Sequence, residues 1–167
     1  MELVFAPKDI LQIDDARITF RNFSGKGGMY NREGDRNFAL VIPTEEMAEE
    51  LTKNGWNVKI KPPREDGEEP FMFMTVKVAF SEFGPNAFLH SGKAVRRLDE
   101  DSISCLDRID IETIDMDIRP HDWVLQEGTK NEKRGRSAYL REIHVFQRLD
   151  RFAEKYGDMA GDDTVEY

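Results

Sequence analysis

A glycine-rich basic segment lies between two apolar runs in residues 22–42, NFSGKGGMYNREGDRNFALVI. The overlapping residues 16–23, ARITFRNF, alternate in polarity, with Ile18 and Phe20 on the apolar side. Because RNFALVI at 36–42 is a second strand-like run, the pattern predicts a β-hairpin with a long tip. The glycines predict that this tip is mobile.

The glycine–lysine core of this segment resembles a phosphate-binding loop, but its surroundings do not fit one. A P-loop has the pattern G-x-x-x-x-G-K-[ST] between a strand and a helix. Here Gly25 and Lys26 are followed by a turn and another strand, so no helix N-terminus is positioned to bind a phosphate. The segment therefore predicts a hairpin tip that contacts an irregular polyanion rather than a nucleotide.

The whole chain, including the hairpin, predicts roughly six strands and one internal helix. The helix is predicted over residues 43–55, PTEEMAEELTKNG, where Thr44 can cap the N-terminus and Gly55 can end the last turn. The other strands are predicted at residues 56–61, 71–80, 87–91, 112–125 and 138–147. Because helices do not alternate with strands, the pattern disfavours a doubly wound α/β fold and favours a mostly-β protein with an antiparallel β-barrel.

The C-terminal residues are predicted to form a short helix at 149–156 and an acidic tail at 157–167. The tail, GDMAGDDTVEY, has a net charge of −4 and contains no Lys or Arg, so we expect it to be flexible and to follow a folded domain at 1–156. Such a tail can simply keep the protein in solution, or it can compete with nucleic acid for the protein's own basic groove and dock into basic pockets on partner proteins. The predicted partner-binding residues are Asp162, Asp163, Glu166 and Tyr167.

The charge distribution keeps nucleic acid among the candidate partners. The chain has a net charge of −9, from 24 Lys and Arg against 33 Asp and Glu. Residues 17–38 nevertheless have a net charge of +3, and residues 128–151 have one of +4. Local patches determine a binding field more than the total charge does, so these two basic islands are candidate polyanion sites.

The composition predicts a globular protein of the cytoplasm. Charged residues make up 34% of the chain, and no apolar run approaches the roughly 18 residues of a membrane span, so we expect no membrane partner. The first ten residues lack the features of a secretory signal. The single cysteine, Cys105, excludes an internal disulfide and fits a reducing compartment.

The sequence gives little support for a catalytic, metal or cofactor site, so we expect a protein that is not an enzyme and has no cofactor. His90, His121 and His144 are widely spaced, and neither H-E-x-x-H nor C-x-x-C is present. The alternative is a metal-dependent nuclease, in which clustered carboxylates hold Mg²⁺. Its candidate residues are Asp110, Asp115 and Asp117.

Single-stranded nucleic acid binding requires a basic groove for the backbone and aromatic rings on which bases stack. Both residue types recur on the outer faces of several predicted strands and on the hairpin tip. The predicted nucleic-acid-binding residues are Arg17, Arg21, Phe23, Lys26, Tyr30, Arg32, Arg36, Lys59, Lys61, Phe73, Lys77, Arg134, Arg136, Tyr139 and Arg141. A non-catalytic protein-interaction module is the alternative, in which the aromatic residues are core and the basic loops are solvated.

Three stretches resemble phage-encoded single-stranded DNA-binding proteins with an OB-fold. They are ITFRNFSGKGGMYNREGDRNFALVIP, NGWNVKIKPPREDGEEP and IDMDIRPHDWV with the later SAYLREIHVF. The resemblance implies an OB-fold barrel and non-catalytic, largely sequence-independent coating of single-stranded DNA in phage replication or recombination. It also implies location in the host-cell cytoplasm and recruitment of replication or recombination proteins, although this tail is short and weakly acidic. A homo-oligomer stays open as a further alternative.

Overall fold

A computed structural model describes residues 1–150 and Phe152 of the chain. The predicted C-terminal helix at 149–156, apart from residues 149, 150 and 152, and the acidic tail at 157–167 lie outside the described residues. The helix α1 spans Glu45–Lys53, and short 3₁₀ turns span Pro7–Asp9 and Ile103–Asp107. The strands are β1 (Glu2–Phe5), β2 (Leu11–Asp14), β3 (Ile18–Asn22), β4 (Arg36–Val41), β5 (Lys59–Lys61), β6 (Phe71–Val78), β7 (Asn86–Ser91), β8 (Ala94–Leu98), β9 (Ile111–Leu125) and β10 (Lys133–Gln147).

The main path of the sheet runs from β1 to β3, and the segment that links β2 to β3 bonds to two other strands of the path. The strand order is β1-β2-β9-β10-β6-β4-β3, and β2 and β3 are consecutive segments of one bent strand. At the bend, Ala16 N–H donates to Ile114 O of β9 at 2.7 Å. The next residue, Arg17, accepts at its carbonyl from Val41 N–H of β4 at 2.9 Å. The bent strand therefore joins β9 to β4, which confirms the prediction of a mostly-β, OB-like barrel with an internal helix.

The pairing of β10 differs from the all-antiparallel prediction. β10 runs antiparallel to β9 from Lys133 to Gln147. Its residues Ala138 and Tyr139 pair in parallel with β6, and residues 142–146 pair in parallel with β7. Strand direction depends on long-range hydrogen bonding, which the alternation of apolar and polar residues does not specify.

The barrel interior is lined by alternate residues of its strands. On β6, every second side chain from Met72 to Val78 is buried, as the sequence pattern predicts, and Phe73 on the opposite side of the strand is buried as well. At the start of α1 the Thr44 hydroxyl oxygen accepts a hydrogen bond from Met47 N–H at 3.2 Å, which is the predicted N-cap. The buried side chains of α1 join the barrel core.

The alternation predicted for β3 is wrong at Phe20. A φ of +50° at this residue and a register shift between Thr19 and Asn22 mark a β-bulge in the β3–β4 ladder. The bulge turns Phe20 outward and leaves 59% of the residue exposed, whereas Phe23 is completely buried. Phe23 stacks on Phe38 in the core, with ring centroids 5.2 Å apart.

The structure contains more strands than the sequence pattern predicts. β1, β2 and β8 are not predicted, and β10 begins at Lys133, ahead of the strand predicted at 138–147. Because β9 and β10 both continue beyond the barrel, residues 121–125 and 133–137 form a two-stranded arm. Among the described residues, no helix has the length and apolar composition that a bilayer span requires.

Candidate nucleic-acid interface

Aromatic and cationic side chains meet on the outer surface of β6 and its neighbours, which we call the aromatic face. On β6, Phe71 and Phe73 alternate with the buried methionines and are directed outward. β5 pairs with this end of β6, with Lys59 opposite Phe73 and Lys61 opposite Phe71. The bulge in β3 adds Phe20. Three strands therefore bring three rings and two ammonium groups together.

The rings of the aromatic face support one another. Phe71 and Phe73 stack with centroids 5.2 Å apart, and Phe20 meets them edge-on at 6.1 and 6.2 Å. Lys61 Nζ lies 5.3 Å from the Phe20 centroid, and Lys59 Nζ lies 6.0 Å from that of Phe73. Phe73 is only 8% exposed, so Phe20 is the ring that offers a surface to a ligand. A base stacked there would lie beside two cations.

A second aromatic–cationic group continues the aromatic face onto β10 and β9. Tyr139 pairs with Lys77 of β6 on one side and with Arg119 of β9 on the other. The Arg119 guanidinium lies 4.8 Å from the Tyr139 ring centroid, and Lys77 Nζ lies 5.8 Å from it. His121 meets the same ring edge-on at 5.8 Å. This group also combines a ring with adjacent positive charge.

The loop at 23–35 borders the second group. A cleft of about 430 Å³ is lined by Arg32 and Arg36 together with Lys77 and Tyr139. Each of the two arginines pairs with one carboxylate at 3.4 Å, and both carboxylate side chains are at least half exposed. Such pairs contribute little energy, so a phosphate group can replace the carboxylates.

The same loop has hydrogen bonds across its interior. The side-chain amide of Asn31 donates to the carbonyls of Lys26, Arg32 and Asp35 at 2.9, 3.2 and 3.0 Å. The end of the loop projects into solvent, with Tyr30 95% exposed. Lys26 and Tyr30 are therefore exposed on a hydrogen-bonded support.

Three of the predicted binding residues lie away from the aromatic face. Arg21 donates from Nη1 to Leu106 O and Ile109 O, each at 2.8 Å, and so holds the second 3₁₀ turn against β3. Phe23 is fully buried and has no ring surface for a base. Arg17 lines a separate cleft at the start of β9. We therefore exclude these three residues from the candidate interface.

The predicted basic group on β10 is divided by the structure. Arg136 forms two hydrogen bonds to Asp122 at 2.7 and 3.1 Å and pairs with Asp9 at 3.3 Å. Its hydrogen bonds hold the pKa of Asp122 below its usual value, and Asp122 in turn raises the pKa of Arg136. The charge of Arg136 is thus neutralised within the protein. Arg141 lies at the β10 bulge, whereas Arg134 lines a cleft next to the aromatic face.

Sequence reasoning missed four residues of the aromatic face, which are Phe20, Phe71, Arg119 and His121. Phe71 lies on the same side of β6 as the predicted residue Lys77, and Arg119 lies on the same side of β9 as the polar residue Asp117. Alternation along each strand could therefore have identified both residues. Phe20 carries no comparable signal, because only the bulge changes its side. The exposed aromatic residue is therefore Phe20 of β3 and not Phe23, which follows the end of that strand.

The described acidic and histidine residues that could bind a metal make contacts of other kinds. The Asp115 carboxylate accepts a hydrogen bond from Asp15 N–H at 3.0 Å, and burial raises the pKa of Asp117. His90 Nε2 and His144 Nδ1 lie 3.0 Å apart, which their spacing in the sequence does not indicate. Within the part of the chain that the structure describes, no three His, Cys, Asp or Glu side chains converge as metal ligands.

The topology is that of the OB-fold class, and the aromatic face combines the two residue types that single-strand binding uses. Residues 2–165 match the family described as "Putative phage ssDNA-binding domain", so the chain belongs to this family. The resemblance found in the sequence is therefore confirmed. No curated protein matches the chain.

The fold is similar to solved structures of the single-stranded DNA-binding protein from bacteriophage Enc34. The structure in complex with ssDNA has a TM-score of 0.54 at 13% identity, covering 90% of this chain and 93% of that one. A second structure has a TM-score of 0.52 at 13% identity, covering 98% and 99%. The C-terminal truncation has a TM-score of 0.50 at 15% identity, covering 89% and 91%. These likenesses show a shared fold.

Proposed function

We propose that this protein coats and protects single-stranded DNA during phage replication or recombination. The observation that supports this proposal best is the aromatic face, where exposed Phe20 lies 5.3 Å from Lys61 Nζ on an OB-like barrel. Rings bind the faces of all four bases, so binding is largely independent of sequence. Membership of a phage ssDNA-binding family agrees with this function.

Stacking on the aromatic face gives a preference for single strands over duplexes. A ring stacks only on a base that is free of its helical neighbour, and stacking of this kind is worth about 1–3 kcal/mol per base. Lys59, Lys61 and Lys77 lie within 6.0 Å of a ring, where they can bind the phosphates that flank a stacked base. The phosphate contacts make affinity fall with salt.

The proposal extends to parts of the chain that the structure does not describe. We propose that residues 1–156 form the DNA-binding domain, and that residues 157–167 compete for its basic surface and recruit replication or recombination proteins. The protein acts without catalysis or a cofactor, in the cytoplasm of the host cell. Association of several copies along one strand is compatible with this role.

A binding titration tests the proposal. A fluorescent oligo-dT and a matched duplex are titrated at two salt concentrations with the full chain and with a chain ending at residue 156. We expect preference for the single strand, weaker binding at higher salt and tighter binding without the tail. Absence of single-strand binding at low salt would refute the proposal and favour a protein-interaction module. Cleavage of the oligonucleotide with Mg²⁺, abolished by Asp115→Ala, would instead support the nuclease alternative.

A further inference from the structure

β6 and β10 diverge beside the aromatic face, and we propose that the wedge between them is a binding slot for one unpaired nucleobase. This inference rests on the proposed function and specifies it further. The two strands pair only at Ala138↔Val76 and Tyr139↔Lys77. Toward their N-terminal ends, β10 continues with β9 into the arm, whereas β6 pairs with β5. The separation leaves a cleft of about 480 Å³, within the size range of small-molecule sites.

One wall of the wedge is aromatic. The Trp123 ring lines the cleft and packs directly on Gly135, where an added Cβ would lie 2.6 Å from Trp123 Cε2. Glycine at this position therefore lets the indole approach the backbone of β10. Trp123 Nε1 donates to Ser137 Oγ at 3.2 Å, which fixes the ring orientation. An indole ring whose orientation is fixed at the side of a cleft is suited to stacking on a planar base.

The remaining lining can hydrogen-bond the edge of a base. Ser137 accepts from the indole and keeps its hydroxyl hydrogen for a ligand acceptor. The Asn57 and Thr75 side chains also line the cleft and make no side-chain hydrogen bond within the described part of the chain. An amide and two hydroxyls present both donors and acceptors, as the edges of nucleobases do.

Cations at the same cleft suit the phosphates that flank the base. Lys59, Lys77 and Arg134 belong to its lining, from β5, β6 and the arm. Lys59 and Lys77 also contact the two aromatic groups of the aromatic face, so the slot lies between those groups. A strand that crosses the face would pass over the slot and could insert one base there.

Tryptophan fluorescence reports on the slot, because Trp56 is 97% buried and Trp123 lines the cleft. The full chain is titrated with oligo-dT and with an abasic deoxyribose-phosphate strand of equal length, while anisotropy measures binding separately. We expect oligo-dT to quench the fluorescence and the abasic strand to bind without quenching. The Trp123→Phe variant should lose the quenching.

The second measurement is the DNA affinity of a variant that lacks the side-chain amide of Asn57. Asn57→Ala should weaken oligo-dT binding about 2- to 10-fold, which corresponds to the loss of one hydrogen bond, and leave the abasic strand unaffected. Asn131→Ala, on the exposed turn of the arm, is the matched control and should bind both strands as wild type does. Oligo-dT binding without base-dependent quenching would overturn the slot alone. Failure to bind either strand would overturn the proposed function as well.

Discussion

Replacement of Phe20 by alanine should weaken single-stranded DNA binding without unfolding the protein. Phe20 is the exposed ring of the aromatic face, and its ring lies 5.3 Å from Lys61 Nζ. Loss of one base-stacking platform costs about 1–3 kcal/mol, and about 1.4 kcal/mol corresponds to a tenfold change in Kd. The expected weakening is therefore about 5- to 150-fold. Because 59% of the residue is already exposed, its removal should cost much less stability than truncation of a core phenylalanine.

Fluorescence anisotropy with oligo-dT at fixed salt measures the change, and thermal unfolding checks that the variant is folded. Phe83→Ala is the matched control, because Phe83 is 76% exposed in the turn after β6 and joins no ring of the aromatic face. Phe20→Trp should retain binding, since it keeps a stacking surface. A folded Phe20→Ala protein with the affinity of the Phe83→Ala control would refute the stacking role.

Arg21→Ala should lower the free energy of unfolding in urea by about 1.5–3 kcal/mol for each of the two charge-assisted hydrogen bonds that it removes, and should leave the DNA affinity of the folded protein unchanged. Weaker binding with unchanged stability would contradict this structural role. Lys77→Ala should reduce the slope of log K against log salt by about 0.7, one phosphate contact, and an unchanged slope would exclude that contact. Burial raises the pKa of Asp117 above 3.8, so its ionisation costs stability as the pH rises through the folded-state value. Asp117→Asn should therefore raise Tm at pH 7, with the difference vanishing below pH 3.8; equal Tm values at pH 7 would contradict the burial argument.

The sequence predicts those parts of the molecule that depend on local periodicity. The alternation in β6 identifies Phe73 and Lys77 as residues on the outer side of the strand. The same period of two in the strand predicted at residues 56–61 identifies Lys59 and Lys61. The N-cap at Thr44 is also a local signal. The aromatic face is predictable to this extent because it is built mainly on regular strands.

The features of the fold and of the site that the sequence does not predict depend on contacts between residues distant in sequence. A bulge exchanges the positions expected for Phe20 and Phe23, and no local pattern indicates it. Arg136 looks like a DNA-binding residue until Asp122 and Asp9 are placed beside it. The parallel pairing of β10 likewise depends on contacts across the whole barrel.

Amide hydrogen exchange with and without oligo-dT tests the location of the interface most directly. DNA binding should slow exchange in β5, in β6 around Thr75 to Lys77, and in β10 around Ser137 to Tyr139. The edge strand β8 should exchange at the same rate in both states and serves as the internal control. Protection confined to β7 and β8, with none at β6 although the DNA is bound, would contradict the assignment of the aromatic face as the single-stranded DNA site.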